Sequence, residues 1–168
     1  MSALAAWLRR RAENIAAAML AVMFAAFVVQ IVFRYLFNFP IGWAAELSVV
    51  MWLWLVLWGA AFVVRENEEI RFDLLTVSVG RRARIGMGVA ASVALLALYA
   101  GSLPATWKYV TFMKVEKSSY LKIRMDWLFS IYLVFVAAIL VRYLWILWQL
   151  VRGRDPWAPE LDKSSSAL

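Results

Sequence analysis

The sequence predicts an all-α integral membrane protein with four transmembrane helices. Of its 168 residues 65% are hydrophobic and only 17% are charged, which leaves too little polar surface to cover a soluble domain. Four apolar stretches are each long enough for the roughly 20 helical residues that cross a bilayer, and they cover residues 15–33, 43–64, 85–103 and 127–151. Lipid offers the backbone no hydrogen-bond partner, so such spans must be helical. We expect one four-helix domain over residues 1–155.

The first span is preceded by basic residues, Arg9, Arg10 and Arg11, as a secretory signal peptide would be. It is longer than the apolar region of a signal peptide, about 7–15 residues, and no small-residue cleavage site follows it closely. We therefore predict that this segment is an uncleaved first transmembrane helix.

The distribution of basic residues predicts the orientation, because cytoplasmic loops collect Lys and Arg. Basic residues are concentrated in the N-terminal tail, the second loop and the C-terminal tail, whereas the first loop offers only Arg34. This pattern favours four spans with both termini in the cytoplasm. The third loop does not follow the rule, since it is basic and yet is placed outside.

Two loops and the tail have patterns of their own. Residues 66–84 place apolar side chains at near-helical spacing among acids, which predicts a short amphipathic helix at the cytoplasmic surface. In the third loop, residues 120–127 alternate strictly between apolar and charged side chains, which predicts an extended segment. Upstream, residues 107–115 mix aromatic residues with lysines, as a segment on the membrane surface does. The tail 156–168 is expected to be cytoplasmic and disordered.

The composition excludes several classes of function. The chain has no Cys and no His, so thiolate metal sites, Ser–His–Asp triads and His-held haem are ruled out. It carries no phosphate-binding loop motif either. We therefore expect neither a cofactor nor a catalytic site. The net charge of +7 lies in loops and tails that flank the spans, which indicates membrane topology and lipid contact rather than nucleic-acid binding.

One acid lies inside an apolar span. By helical rise Glu46 is only about 4–5 Å beyond the boundary at residue 43, whereas transport sites lie near the midplane. Arg34 closes the preceding helix at a similar depth, so a contact between the two is predicted, as a hairpin clamp or a contact with another subunit. The alternatives are solvation at the interface and ion coupling, the usual role of intramembrane acids.

Arg142 lies deeper, about 14 Å before Arg152 by helical rise. One interpretation is that its side chain snorkels towards the headgroups. The other is a counter-charge on a different protein, because buried charges usually pair.

Two further sets of side chains predict helix contacts. Gly86, Ala90 and Ala94 recur at every fourth position, a spacing that lets helix backbones approach closely, although lipid-facing alanines would look the same. Trp54 and Trp58 share one face of the second span near the bilayer middle. Packing within the chain is the favoured interpretation, and contact with another protein is the alternative.

These observations together favour a helper subunit over a carrier. The spans contain no midplane acid, no metal set and no Gly/Pro-broken helix of the kind that binds polar substrates. We therefore expect no substrate-binding residues in this chain. The alternative is a self-sufficient small multidrug-type transporter that works as a homo-oligomer, in which Glu46 would have to act as the membrane acid.

Residues 32–75 contain five short motifs in a fixed order, which are Arg34-Tyr35-x-Phe37-Asn38, Trp43 with Glu46, the pair Gly59-Ala60, a basic exit at Arg65, and the stretch Glu69–Asp73. In these motifs and their order the chain resembles the small membrane subunit, the DctQ type, of tripartite ATP-independent periplasmic (TRAP) transporters. The chain departs from the family at two positions. Ala45 stands where a second acid is frequent, and Glu69 stands where the family has a histidine.

The resemblance implies an importer of organic anions, commonly carboxylates, in a bacterial inner membrane. A periplasmic substrate-binding protein captures the anion, and a large DctM-type membrane subunit carries it, driven by a sodium or proton gradient. The small subunit is then a scaffold whose third loop faces the periplasm. We expect the basic side chains of that loop to dock the binding protein, or else to contact anionic headgroups; these are Lys114, Lys117, Lys122 and Arg124.

Overall fold

Four long α-helices make up most of the chain. The computed structural model describes residues 3–64 and 80–153, and its helices are α1 (Ala3–Leu36), α2 (Gly42–Trp58), α3 (Arg81–Phe112) and α4 (Met125–Val151). By length and composition all four can cross a membrane. The predicted all-α fold class with four spans is confirmed. The predicted amphipathic helix at 66–84 and the tail at 156–168 lie largely or wholly outside the described residues.

Two helices are longer than the sequence pattern predicts. α1 begins well before residue 15, because the polar turns around Arg9 and Glu13 continue the helix and form an ion pair of 2.7 Å. α3 does not end at residue 103 but runs through Pro104 to Phe112. Residues 107–112 are therefore the last turns of α3 rather than a separate segment, and a 3-10 turn, Met113–Val115, follows them.

The described residues group into two compact units. The first combines residues up to Val64 with Ala105–Phe135, and the second combines residues of 65–104 with 136 onwards. In the first unit α1 and α2 form an antiparallel hairpin, whose turn is closed by the Phe39 N–H donating to the Phe33 carbonyl at 3.0 Å. Asn38 takes a left-handed conformation with φ 48°, which Asn tolerates better than most residues.

Two indoles connect α2 to α1 and α4 within the first unit. The Trp58 Nε1–H donates to the Ala12 carbonyl in α1, and the Trp54 Nε1–H donates to the Leu128 carbonyl in α4, both at 3.1 Å. These contacts place Trp54 and Trp58 in packing within the chain, as the favoured interpretation expects. In hydrocarbon such N–H groups have no water to turn to, so these bonds hold α2 between two neighbours.

α4 begins beside the middle of α2. Trp127, in the first turn of α4, stacks on Trp54 with ring centroids 4.9 Å apart, and Trp54 lies twelve residues into a helix that starts at Gly42. The connection between α3 and α4 therefore runs along the first half of α2. This course brings the third loop to Glu46.

The end of α2 is not a regular α-helix. Gly59–Val63 form a π-helical turn, with the Val64 N–H donating to the Gly59 carbonyl five residues earlier at 2.9 Å. The pair Gly59-Ala60 thus opens a widened turn, the kind of local irregularity that is frequent at functional sites. A Cβ at Gly59 would meet nothing within 4 Å, so close packing does not explain the glycine.

In the second unit, α3 and α4 are joined near their ends. The Arg81 guanidinium donates to the Gly153 carbonyl at 2.9 Å, where α4 has just ended. Gly153 has φ +70° and donates its N–H to the Leu150 carbonyl at 2.9 Å, a glycine cap that satisfies a helix-end carbonyl. A cation at this end also interacts favourably with the helix dipole.

The bond from Trp54 to Leu128 can be tested by Trp54→Phe, which removes the N–H and keeps an aromatic ring. We expect a loss of about 1 kcal/mol of stability, the scale of an interhelical hydrogen bond in a membrane, and an apparent Tm in detergent lower by roughly 2–4 °C. Trp107→Phe is the matched control, because the exposed Trp107 indole has no hydrogen-bond partner in the described part of the chain. Equal shifts for both variants would contradict the assignment.

Candidate functional site

The third loop is held on the first turns of α2 by a group of five residues, Gly42, Glu46, Ser118, Tyr120 and Leu121, which we name the loop clamp. The Glu46 carboxylate accepts the Tyr120 N–H at 2.7 Å through Oε2. It also accepts the Leu121 N–H, at 3.4 Å from each carboxylate oxygen. The hydroxyl of Ser118 lies close to the same carboxylate. Glu46 therefore acts as a receptor for main-chain donors of the loop.

The spacing of Gly42 and Glu46 explains why the loop settles at this position. Residues four apart lie on one face of a helix, so both face the loop. A Cβ built on Gly42 would fall inside the Tyr120 ring, which means that the ring lies directly on the backbone of α2. Tyr120 is thus engaged twice, through its ring on Gly42 and through its N–H on Glu46.

The loop also has hydrogen bonds of its own. The Ser118 N–H donates to the Ile123 carbonyl at 2.9 Å, and the Ile123 N–H donates to the Ser118 Oγ at 3.0 Å. The side chain of Ser118 is only 3% exposed. A single antiparallel bridge joins Lys117 to Arg124, and Lys122 takes φ 55°. Residues 117–124 thus form a closed turn.

The extended segment predicted for residues 120–127 is therefore wrong. Residues 119–121 form a turn, Arg124 makes a single bridge, and α4 begins at Met125. Side-chain oxygens of Glu46 and Ser118 take the loop N–H groups that a partner strand would otherwise bind, and such local bonds compete with sheet formation. The apolar–polar alternation was too short to separate an extended strand from a turn that leads into a helix.

The basic side chains of the loop differ in how far their charge is available. Lys114, Lys117 and Lys122 are exposed, and none has an ion pair within the described residues. Arg124 instead makes two hydrogen bonds to Asp126, at 3.1 and 2.7 Å. Three lysines, rather than four cations, are therefore available to a partner. The ion pair between Arg124 and Asp126 was not predicted from the sequence, although both are charged residues of the alternating stretch 120–127.

The predicted contact between Arg34 and Glu46 is not made. The guanidinium carbon of Arg34 lies 5.8 Å from the ring centroid of the adjacent Tyr35, and the Glu46 carboxylate is occupied by the loop. Sequence reasoning looked for a charged partner and overlooked uncharged backbone donors 74 residues further along the chain.

The other predicted site residues lie in the second unit. Arg142 is half-buried in α4, and both interpretations, snorkelling towards the headgroups and a counter-charge on another protein, stay predictions. Gly86, Ala90 and Ala94 form an exposed row on α3, and a Cβ at Gly86 would meet nothing within 4 Å. The close helix approach predicted for this row is not made within the described residues, and contact with another protein stays a prediction.

The groups of the loop clamp can hold the third loop in place by hydrogen bonds. Among the described residues no group of three His, Cys, Asp or Glu side chains is placed to hold a metal ion. The Glu46 carboxylate already accepts two N–H groups, and hydrogen bonds to a charged acceptor are the stronger kind. The arrangement fixes the position of a basic turn on a transmembrane helix.

Gly42→Ala tests the packing of Tyr120 on α2. The new methyl group would occupy the place of the ring, so we expect the loop to be displaced and a cysteine introduced at residue 122 to react at least about fivefold faster with a thiol reagent. Gly101→Ala is the control, since a Cβ there meets nothing within 4 Å and alanine is the better helix former. An unchanged reaction rate in Gly42→Ala would contradict the close approach.

Glu46→Ala tests the main-chain bonds. Loss of the acceptor should raise hydrogen exchange at the Tyr120 and Leu121 amides at least about tenfold, because their protection depends on this local interaction. The Glu116 and Met125 amides, which donate to the Met113 and Glu116 carbonyls, serve as internal controls. Glu46→Gln keeps one acceptor oxygen and should give an intermediate rate. Unaltered exchange at residues 120 and 121 would show that other groups hold the loop.

Comparison with known proteins gives this geometry a context. The profile of the family described as "Tripartite ATP-independent periplasmic transporters, DctQ component" matches residues 23–153. The chain is also similar to "C4-dicarboxylate TRAP transporter small permease protein DctQ" of Vibrio cholerae serotype O1 (strain ATCC 39315 / El Tor Inaba N16961). It is 28% identical to that relative over 149 residues, which cover 74% of this chain and 64% of the relative. The match thus spans less than two thirds of the relative's length.

The family match covers α1 from residue 23 onwards, all of α2, α3 and α4, and the loop clamp, and it agrees with the motifs that resemble this family. The chain belongs to the DctQ family and is a multi-pass membrane subunit of a TRAP transporter.

Proposed function

We propose that the chain is the scaffold subunit of a TRAP-type secondary transporter that imports organic anions across a bacterial inner membrane. Its partners are a large DctM-type membrane subunit and a periplasmic substrate-binding protein, and an ion gradient drives transport. The observation that supports a scaffold role most directly is the occupancy of Glu46 by loop amides. A carboxylate used in this way holds structure and is not available to bind and release a coupling ion.

For the substrate we propose the chemical class of organic carboxylates. The relative from Vibrio cholerae is named for C4-dicarboxylates, and only the wider class is extended to this chain. We assign the selection of the particular anion to the large membrane subunit and the periplasmic substrate-binding protein.

We also propose that both termini lie in the cytoplasm and that residues 1–155 act as one transmembrane domain. In this orientation the third loop faces the periplasm, together with its three unpaired lysines. A binding protein with an acidic surface would be attracted by this turn, since opposite charge raises the rate of association. The clamp on α2 supports this role, because a turn that is already ordered has less conformational entropy to lose on docking.

Neutralising the lysines tests the docking surface. We expect Lys114→Gln, Lys117→Gln and Lys122→Gln together to slow association with the binding protein about tenfold at low salt, with a smaller effect at high salt, where charges are screened. The double variant Arg124→Gln with Asp126→Asn is the matched control, because it removes the two members of an ion pair together and leaves the net charge unchanged. It should change the rate less than any single lysine variant. Identical association rates for wild type and the triple variant would assign the lysines to lipid headgroups.

The scaffold role itself is tested by purification in mild detergent with a tag on this chain, followed by reconstitution. A large polytopic membrane protein should co-purify, and vesicles that contain this chain alone should show no sodium- or proton-driven uptake. Gradient-driven flux by the chain alone would overturn the proposal in favour of a self-sufficient homo-oligomeric transporter.

A further inference from the structure

A column of three side chains covers an exposed face of α4 at its C-terminal end. The rings of Trp145 and Trp148 are stacked, with centroids 4.9 Å apart and an angle of 28° between their planes. The guanidinium carbon of Arg152 lies over the Trp148 ring, 3.8 Å from its centroid. The three residues follow one another at intervals of three and four, so they share one helix face, and all three are exposed. We name this set the α4 column.

The Arg152 guanidinium keeps its N–H donors available. It makes no hydrogen bond or ion pair with any residue that the structure describes, and its contact with Trp148 is an attraction between a cation and an aromatic ring. A guanidinium presents its donors in a planar fork that fits the oxygens of a phosphate in a bidentate manner. Because the indole already positions this fork, less side-chain entropy is lost when an anion binds.

A second guanidinium lies beside the α4 column. Arg81, in the first turn of α3, donates to the carbonyl of Gly153 at 2.9 Å, and Gly153 directly follows Arg152. Arg81 has no ion pair in the described part of the chain either, and the first turn of α3 contains no acid. The dipole of α4 contributes only about half a negative charge at its C-terminus, which cannot balance two guanidiniums. This end of α4 therefore carries excess positive charge that an anion would neutralise.

The α4 column lies where a bilayer changes from hydrocarbon to headgroups. α4 is a candidate span of 27 residues, about 40 Å by helical rise, which is roughly the thickness of a bilayer with its headgroup regions. Arg152 directly follows Val151, the last residue of the helix. The guanidinium thus lies at the level of the lipid phosphates, and the two indoles lie at the adjoining end of the acyl chains, where Trp is frequent. A phospholipid has a phosphate and an apolar part in the same order.

We infer that this end of α4 binds a phospholipid of net negative charge, with Arg152 and Arg81 holding its phosphate and with an acyl chain lying along Trp148 and Trp145. A zwitterionic headgroup brings a cation of its own, which the excess positive charge disfavours. A soluble acidic partner would neutralise the guanidiniums but would leave the two exposed indoles uncovered. The inference requires only a helix that spans a membrane, and it is independent of the proposed transport function.

A lipid titration of the purified chain tests the site. The chain in a non-ionic detergent is titrated with phosphatidylglycerol and, in parallel, with phosphatidylcholine, and the lipid-bound species are measured by native mass spectrometry. We expect Arg152→Gln to raise the Kd for the first phosphatidylglycerol about fivefold, the scale of one basic residue close to an anionic lipid surface. Arg152→Gln with Arg81→Gln should raise it at least about tenfold and abolish the preference for phosphatidylglycerol over phosphatidylcholine.

Arg10→Gln with Arg82→Gln is the matched control. It also removes two positive charges, from exposed arginines that have no hydrogen bond or ion pair within the described residues, and it should change the Kd less than about twofold because exposed charges are screened. Arg152→Lys keeps the charge but loses the planar fork, so an intermediate Kd is expected. Arg152→Gln leaves the bond from Arg81 to Gly153 in place, so it tests the site even if the double variant does not fold.

Four results would overturn the inference. Equal Kd values of the wild-type chain for the two lipids, or equal weakening by the control pair, would show that the guanidiniums do not select an anionic headgroup. Displacement of phosphatidylglycerol by an equal concentration of inorganic phosphate would show that the indoles contribute nothing to binding. No bound phosphatidylglycerol on the wild-type chain would leave this end of α4 to a protein partner.

Discussion

The organisation of this protein depends on one constraint: inside a membrane, a polar hydrogen must find its acceptor within protein. The indoles of Trp54 and Trp58 satisfy it by donating to carbonyls of α4 and α1, and these bonds hold α2 between its neighbours. The amides of Tyr120 and Leu121 satisfy it near the membrane boundary by donating to Glu46. Aliphatic side chains make the helices soluble in lipid, and the few hydrogen-bond donors determine which parts of the chain contact one another.

Glu46 shows how position determines the role of an intramembrane acid. Near the midplane an unpaired carboxylate would be a strong indicator of ion coupling. One turn inside the helix it is shallow enough to receive a loop, and its i, i+4 partner Gly42 provides the flat backbone on which Tyr120 rests. In this protein the environment supplies amide donors, and the carboxylate holds the third loop on α2.

Hydropathy predicted the four spans correctly, because whether a segment crosses lipid depends on composition and length, which the sequence states directly. The family motifs were equally readable in Arg34 and Glu46 and their spacing. The hydrogen-bond partners of Glu46 could not be predicted in the same way. Every residue except proline carries a backbone N–H, and the sequence does not show which N–H will donate to a given carboxylate. The alternation in residues 120–127 misled for a related reason: one buried serine hydroxyl and one distant carboxylate were enough to replace a strand by a turn. The extension of α3 beyond residue 103 was missed because the span was bounded by its apolar stretch, whereas the helix continues through Pro104 and the more polar residues to Phe112.

The clamp holds the third loop by two main-chain N–H groups, by the Tyr120 ring and by the Ser118 hydroxyl. The exposed side chain of Lys117 makes none of these contacts, so Lys117 could be exchanged for another residue without loosening the attachment to α2. Different soluble partners could in this way be accommodated by rewriting a few outward positions, while the membrane framework is inherited unchanged. The anchoring of the turn and the chemistry of its outward surface thus depend on different residues, so the surface can change while the attachment to α2 is kept.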